Sequence, residues 1–347
     1  MPRIIFPSAR SKRKNSDLAA EPLVPQDDAY HGVVSLADVE WWYFDAVFEG
    51  GYSVHVGVRI FHSGGRSGIV RARFEIYKDG LVEVAAVKTG LLKDLRVSKA
   101  IPLIRFDDQN VIAFDEHRYK ATGEWVYTVS FEIEGHAVHL TFTGSTKGWK
   151  IETSRNSWAV ALPKAWVEGT IRLGETVTQV RGIGYHDHNW DYSLLTTWMR
   201  NIGWFWGRLI GDSGTVIWAQ TIEKQEKKNI VVVVNQESKG DAGDFLTIPS
   251  RDITFSVNTY RKNHGRWIPT EFSFDISHVP ASDRSLPVEV HLRLVTNEIH
   301  HTRILAVHYW RYHVRTNGAL SIGALSNRFD NKMQIIELVC FKTLRQK

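Results

Sequence analysis

From Glu40 onward the chain is written in short runs of apolar residues, often alternating with polar ones, and each run is closed by turn residues. Glu40–Phe48 (EWWYFDAVF) ends in Glu-Gly-Gly and Tyr52–Phe61 (YSVHVGVRIF) in His-Ser-Gly-Gly. Ile69–Tyr77 (IVRARFEIY) leads into Lys-Asp-Gly, a hairpin signal. Within that run Val70, Ala72, Phe74 and Ile76 alternate with Arg71, Arg73 and Glu75, so a period of two predicts one apolar face and one wet face. Trp125–Ile133, Ala137–Phe142 and Ala165–Leu173 continue the pattern. A second series comprises Thr215–Thr221, Asn229–Asn235, Ile253–Tyr260, Glu271–Ile276, Val288–Val295, Ile304–Val314 and Met333–Phe341. Helical spacing is confined to one or two turns near Ser193–Arg200. Regularly spaced short strands predict an all-β protein of sandwiches or barrels.

At 347 residues the chain is longer than one core usually supports, which predicts two domains. Residues 1–33 are polar, contain Pro7, Pro22 and Pro25, and read as a flexible tail. The expected domains are then 34–200 and 201–347. Hydrophobic residues at 43% mark a globular chain rather than a disordered one. The 13 Trp are more than a core of this size needs. Each ring buries about 150–250 Å², so the set serves either as core filler or as the wall of an apolar cavity.

The net charge of +5 owes much to Arg3, Arg10, Lys12, Arg13 and Lys14. A solvated tail accounts for them; a peripheral grip on an anionic membrane surface is the alternative. No basic stripe follows downstream, so nucleic acid is not an expected partner. Cys340 is the lone cysteine, which rules out an intrachain disulfide and suits a reducing, cytoplasmic setting. No signal-peptide run or bilayer-spanning apolar stretch is present in the sequence.

The densest chemistry lies in Gly182-Ile-Gly-Tyr-His-Asp-His-Asn-Trp190. In an extended strand Tyr185, Asp187 and Asn189 face one side, and His186, His188 and Trp190 the other. Such residues either brace a domain junction or exchange protons in a catalytic site. Two histidines without a third ligand or an HExxH spacing do not make a metal site, and none is expected. Trp198, Trp204 and Trp206 are candidates for an aromatic pocket wall that stabilises a cation, and Glu40 and Trp42 for its opposite side. His300, His301, His308 and His313 read as surface or barrel-wall residues. GxGxxG, GxxxxGK[ST] and GxSxG are all missing, so neither a nucleotide cofactor nor a serine nucleophile is expected.

Glu40-Trp41-Trp42-Tyr43-Phe44-Asp45, the run from Gly169 through Trp190, and Trp204–Leu209 (WFWGRL) together resemble the carotenoid 1,2-hydratase (hydroxyneurosporene synthase) family. AttH-like, lipocalin-like proteins share these motifs, and fungal Diels–Alderases share part of them. The resemblance runs over residues 36–345. It implies a β-sandwich beside a lipocalin-like barrel, with an apolar pocket near their junction. It also implies cofactor-independent addition of water to a C=C bond of an isoprenoid or carotenoid-like substrate, with a functional His-x-Trp pair falling on His188 and Trp190. On this reading Asp187, with His186 or His188, protonates the alkene. Trp190, Trp204 and Trp206 shield the cation, with Tyr185, Trp42, Trp198 and Glu40 around the substrate. A pericyclic cyclase and a non-catalytic lipid carrier are the alternatives. The family's Tyr-x-Asp pair has no match in Gly214–Trp218, and its glycine after the motif is Asp191 here.

Overall fold

The computed structural model describes residues 18–32, 37–64, 67–153, 156–223, 229–237, 245–280, 286–304 and 307–342. Two antiparallel sheets, curled into a nearly closed barrel and a half-barrel, make up almost all of it. The first holds the strands between Glu21 and Ser193, the second those between Asn201 and Cys340, and the helix Leu194–Arg200 joins them. The middle of the first sheet runs Ser67–Lys78, Tyr52–Gly64, Asp38–Phe48, Thr176–Ser193, Ser157–Leu173. In the second, Leu325–Cys340 lies between Asn201–Ile210 and Val307–Ile322.

The alternation places the cores. Val70, Ala72, Phe74 and Ile76 point into the first barrel with Val54, Val56, Val58, Ile60 and Phe44. The second core gathers around Trp218, Trp310, Phe272 and Ile336. A third apolar cluster spans both sheets, bringing Tyr43, Trp158 and Tyr185 against Trp206, Ile217 and Ile335. This seam corrects one expectation. The face carrying Arg73 and Glu75 is not wet, because it is turned toward the second sheet: Glu75 is buried and Tyr309 stands 5.4 Å over the Arg73 guanidinium.

The expectation of a tail through residue 33 fails for residues 18–32. Glu21–Pro22 pairs with Trp149 and Lys150, and Pro25–Asp28 turns inward to bury Asp28 completely. A carboxylate inside an apolar barrel needs donors. Asp28 accepts from Tyr127 Oη at 2.6 Å and lies 2.9 Å from His186 Nε2, and its carbonyl accepts from Trp42 Nε1 at 2.9 Å. Residues 1–17 and 33–36 lie outside the described residues. The helix Glu116–Thr122 was not expected; it is two turns long, capped by Asp115 and stopped by Gly123 in the left-handed region. No helix among the described residues is long and apolar enough to cross a membrane.

The glycines that open the motif strand are steric requirements. A Cβ on Gly182 would lie 2.1 Å from the Val47 carbonyl oxygen of the neighbouring strand. Asp191 has φ 57°, a left-handed conformation that glycine adopts freely and Asp tolerates. Gly182→Ala should lower the unfolding free energy by about 2 kcal/mol, a typical overpacking cost. A urea midpoint unchanged from the parent would show that the two strands can separate to admit the methyl group.

Candidate functional site

The motif strand divides its chemistry between two environments. On the inner face His186, His188 and Trp190 point into the first barrel and away from the second sheet. His186 Nδ1 donates to the Tyr43 carbonyl at 2.9 Å, since a carbonyl can only accept, and its Nε2 meets Asp28. His188 Nε2 lies 3.1 Å from Glu40 Oε1, and its ring stacks on Trp42 with centroids 4.3 Å apart. Glu40 also accepts the backbone N–H groups of His31 and Gly32, which ties the segment 18–32 over the barrel. His31 in turn stacks on Trp190 at 3.9 Å. Burial alone would raise the Glu40 carboxyl, but His188, His62 and the His31 N–H outweigh it and lower its pKa to about 2.

The outer face belongs to the seam between the sheets. Asp187 Oδ2 accepts from Tyr185 Oη at 2.8 Å and Trp158 Nε1 at 3.0 Å. Burial outweighs both bonds and raises the Asp187 pKa to about 7. Beside it lies a network that crosses the seam. Tyr43 Oη lies 2.8 Å from both Asp45 Oδ2 and Glu337 Oε1, and receives Arg311. Arg311 also donates to Glu337 at 2.8 Å, Tyr309 Oη donates to Glu337 at 2.5 Å, and Arg208 Nε donates to Asp45 at 2.5 Å. Burial pushes the Glu337 carboxyl above its ordinary value, against the pull of Arg311 and its two tyrosine donors.

A narrow cleft, with room for about 30 Å³ and open to solvent, adjoins this network. Its walls come from three adjacent strands: Trp41 and Tyr43; His55, Arg59 and Phe61; Arg71 and Arg73. Tyr309 of the second sheet lies near this wall, its ring centroid 6.3 Å from that of His55. Tyr43 therefore lines the cleft and is hydrogen-bonded to a protonatable carboxyl in the seam.

Sequence-predicted residues distribute unevenly around this site. Tyr185, Asp187 and Trp206 meet in the seam, with Trp206 5.1 Å from Tyr185 and 5.3 Å from Tyr43 between ring centroids. Trp204 packs on Tyr192 and Phe341 at the seam's edge. Trp42 borders the cleft, although its ring lies on the inner face against His188. His186, His188, Trp190 and Glu40 form the inner network, so Asp187 and either histidine do not meet on one substrate: neighbouring strand residues point to opposite faces of the sheet. Trp198 is exposed on the connecting helix, with Lys342 Nζ 5.4 Å over its ring. Sequence reasoning missed Glu337, Arg311 and Arg208. Their signal is a single charge inside an otherwise apolar or aromatic run, as in Ile335-Ile-Glu-Leu-Val-Cys340. Among the described residues no group of His, Cys, Asp or Glu has the geometry to hold a metal ion.

No protein-family model matches the chain. A hydroxyneurosporene dehydrogenase of Chlorobaculum tepidum is 22% identical over 306 residues, covering 74% of this chain and 76% of that protein. An AttH-like protein of Nitrosomonas europaea has the same fold, with a TM-score of 0.59 and 15% identity over 93% of this chain and 100% of its own. Kievitone hydratase of Nectria haematococca superposes with a TM-score of 0.56 at 11% identity, over 95% and 98% of the two chains. CghA bound to Sch210972 does so at 0.56 and 13%, over 88% and 89%. The chain thus shares its two-sheet architecture with an AttH-like protein, kievitone hydratase and CghA, as the resemblance implied.

The inner network yields a stability prediction. Because the Glu40 pKa is lowered in the folded state, its contribution is present above about 4.5 and is lost as pH falls toward about 2. The difference corresponds to about 3 kcal/mol. Glu40→Gln should therefore destabilise the protein at pH 7 by roughly that amount and flatten the acid limb of its stability curve. An unaltered acid limb in denaturant titrations at pH 2.5–7 would remove Glu40 from that role.

Proposed function

We propose that this chain is a hydratase, or an acid-assisted cyclase, that works without an organic cofactor on an unsaturated, isoprenoid- or carotenoid-like chain held in the cleft beside Tyr43. The observation that carries the reading is the pairing of cleft-lining Tyr43 with Glu337, a buried carboxyl whose pKa is raised. Burial favours the protonated form of this carboxyl and so makes it a better proton donor than a solvated one. In this mechanism the proton of Tyr43 passes to the alkene and Glu337 replaces it. Trp41 and Tyr43 turn ring faces to the cation, and water adds to it. The added water then returns its surplus proton through Tyr43 to Glu337, so the net change is one water across one double bond. Where no water is admitted, a second double bond captures the cation, giving a cyclic product of unchanged mass once a proton is lost. Asp187 serves as a second protonatable carboxyl behind Tyr185. His186, His188, Trp190 and Glu40 hold the motif strand and residues 18–32 in place. The likeness to kievitone hydratase and to CghA supports a hydratase or cyclase, and the Chlorobaculum relative supports an isoprenoid chain.

The test is mass spectrometry of organic extracts after incubation with a panel of acyclic isoprenoids. A product heavier by one water is expected; a product of unchanged mass assigns the cyclase instead. Recovery of every substrate unaltered would overturn the enzyme reading and favour a carrier. Glu337→Gln and Tyr43→Phe should each lower kcat about 10²-fold or more while leaving circular dichroism intact. For the parent, the rate should fall as pH rises through the elevated Glu337 pKa, because only the protonated acid donates, and Glu337→Gln should lose that limb.

A further inference from the structure

The cleft holds more positive charge than its walls neutralise. Arg59 and Arg71 are direct cross-strand partners in the register of Tyr52–Gly64 with Ser67–Lys78, and Arg73 follows on the same face. Like charges placed directly opposite each other on a sheet are destabilising. Arg73 has a carboxylate, Glu75, at 3.8 Å. Among the described residues no ion pair forms at Arg59 or Arg71; Arg59 has the Trp41 ring 5.5 Å from its guanidinium carbon, and burial and Arg73 outweigh the more distant pull of Tyr309 and Glu337 on it. His55 does not offset the excess: burial, and then Arg73, lowers its pKa to about 3, which keeps it neutral. Arg311 and Arg208 are already matched by Glu337 and Asp45 deeper in the seam. Three guanidinium groups thus face the cleft against one carboxylate, beside the apolar rings of Trp41 and Phe61. A cleft built for a neutral hydrocarbon has no use for two uncompensated, half-buried charges, and each costs solvation.

We propose that the ligand of this cleft is an amphiphilic anion, an unsaturated chain with a carboxylate or phosphate head, whose head is held by Arg59 and Arg71 while Trp41 and Phe61 take the first part of the chain. This rests on the assignment of the cleft as the reaction site and narrows its substrate to acids. Arginine suits the role because its planar donors match both oxyanions in bidentate fashion. The head group anchors one end of the molecule, so the double bond presented to Tyr43 is fixed by its distance from the head.

The test compares farnesoic acid, farnesyl diphosphate and farnesol, which share a tail and differ in the head, by tryptophan-fluorescence titration of the full chain. The acid or the diphosphate should bind at least about tenfold more tightly than the alcohol, with the gap narrowing as salt is added. The tighter of the two names the head group. Arg59→Met and Arg71→Met should abolish the preference, and each should raise the ligand-free melting temperature by relieving the Arg59–Arg71 repulsion. Equal affinity for alcohol and acid, or a preference that survives both substitutions, would overturn the anion assignment and leave the cleft as a reaction site. A lower melting temperature in both variants would show that the arginines are structural and overturn it as well. Absence of binding by all three probes would overturn the cleft assignment along with it.

Discussion

Arg311 is fully buried, and its guanidinium is where the two sheets are fastened together. It reaches from the second sheet to the Tyr43 hydroxyl, the Val54 carbonyl and, at 3.8 Å, Asp45 of the first, while bonding Glu337 of its own sheet. A buried cation without partners is so costly that this arrangement tolerates few alternatives. Removing one member strands the others, typically at about 3–5 kcal/mol. The relative placement of the sheets is therefore tied to the position of Tyr43, and the cleft beside it inherits that definition. Other links across the seam, such as Trp149 Nε1 to Asn235 at 3.1 Å and Ser53 to His313 at 2.8 Å, act in the same direction.

Tyr43 belongs to both buried networks. Its carbonyl accepts from His186 on the barrel side, and its phenol sits among Asp45, Glu337 and Arg311 in the seam. The conspicuous His-Asp-His motif is thus two structures interleaved on one strand. The histidines secure the strand and the segment laid over the barrel; the aspartate looks toward the second sheet. Such a division lets a carboxyl remain protonatable at the seam while a fixed ion network lies one residue away.

Much of the fold was legible because strands announce themselves locally. The alternation in Ile69–Tyr77 gave the core positions of Val70, Phe74 and Ile76 correctly. It could not reveal that Arg73 and Glu75 face a second sheet rather than water, since period two distinguishes faces and not what covers them. The same limit applies to the site. Glu337 meets Tyr43 across 294 positions of sequence, and no local pattern encodes that meeting. The segment 18–32 read as tail because its anchoring residue, Asp28, is polar and finds its donors in Tyr127 and His186, both far along the chain. Signals of this kind lie in isolated charges within apolar runs, and Arg208, Arg311 and Glu337 all carry one.

The aromatic seam also makes the molecule its own optical reporter. Trp206 and Trp158 emit from the junction, whereas Trp218 and Trp310 lie deep in the second barrel and Trp42 in the first. Parting of the sheets would hydrate the junction indoles while leaving the interior ones dry. The emission spectrum would then shift to the red in two steps, an early one for the parting and a later one for melting of the barrels. A protein whose halves come apart before they unfold would be distinguishable, by colour alone, from one in which seam and cores fail together.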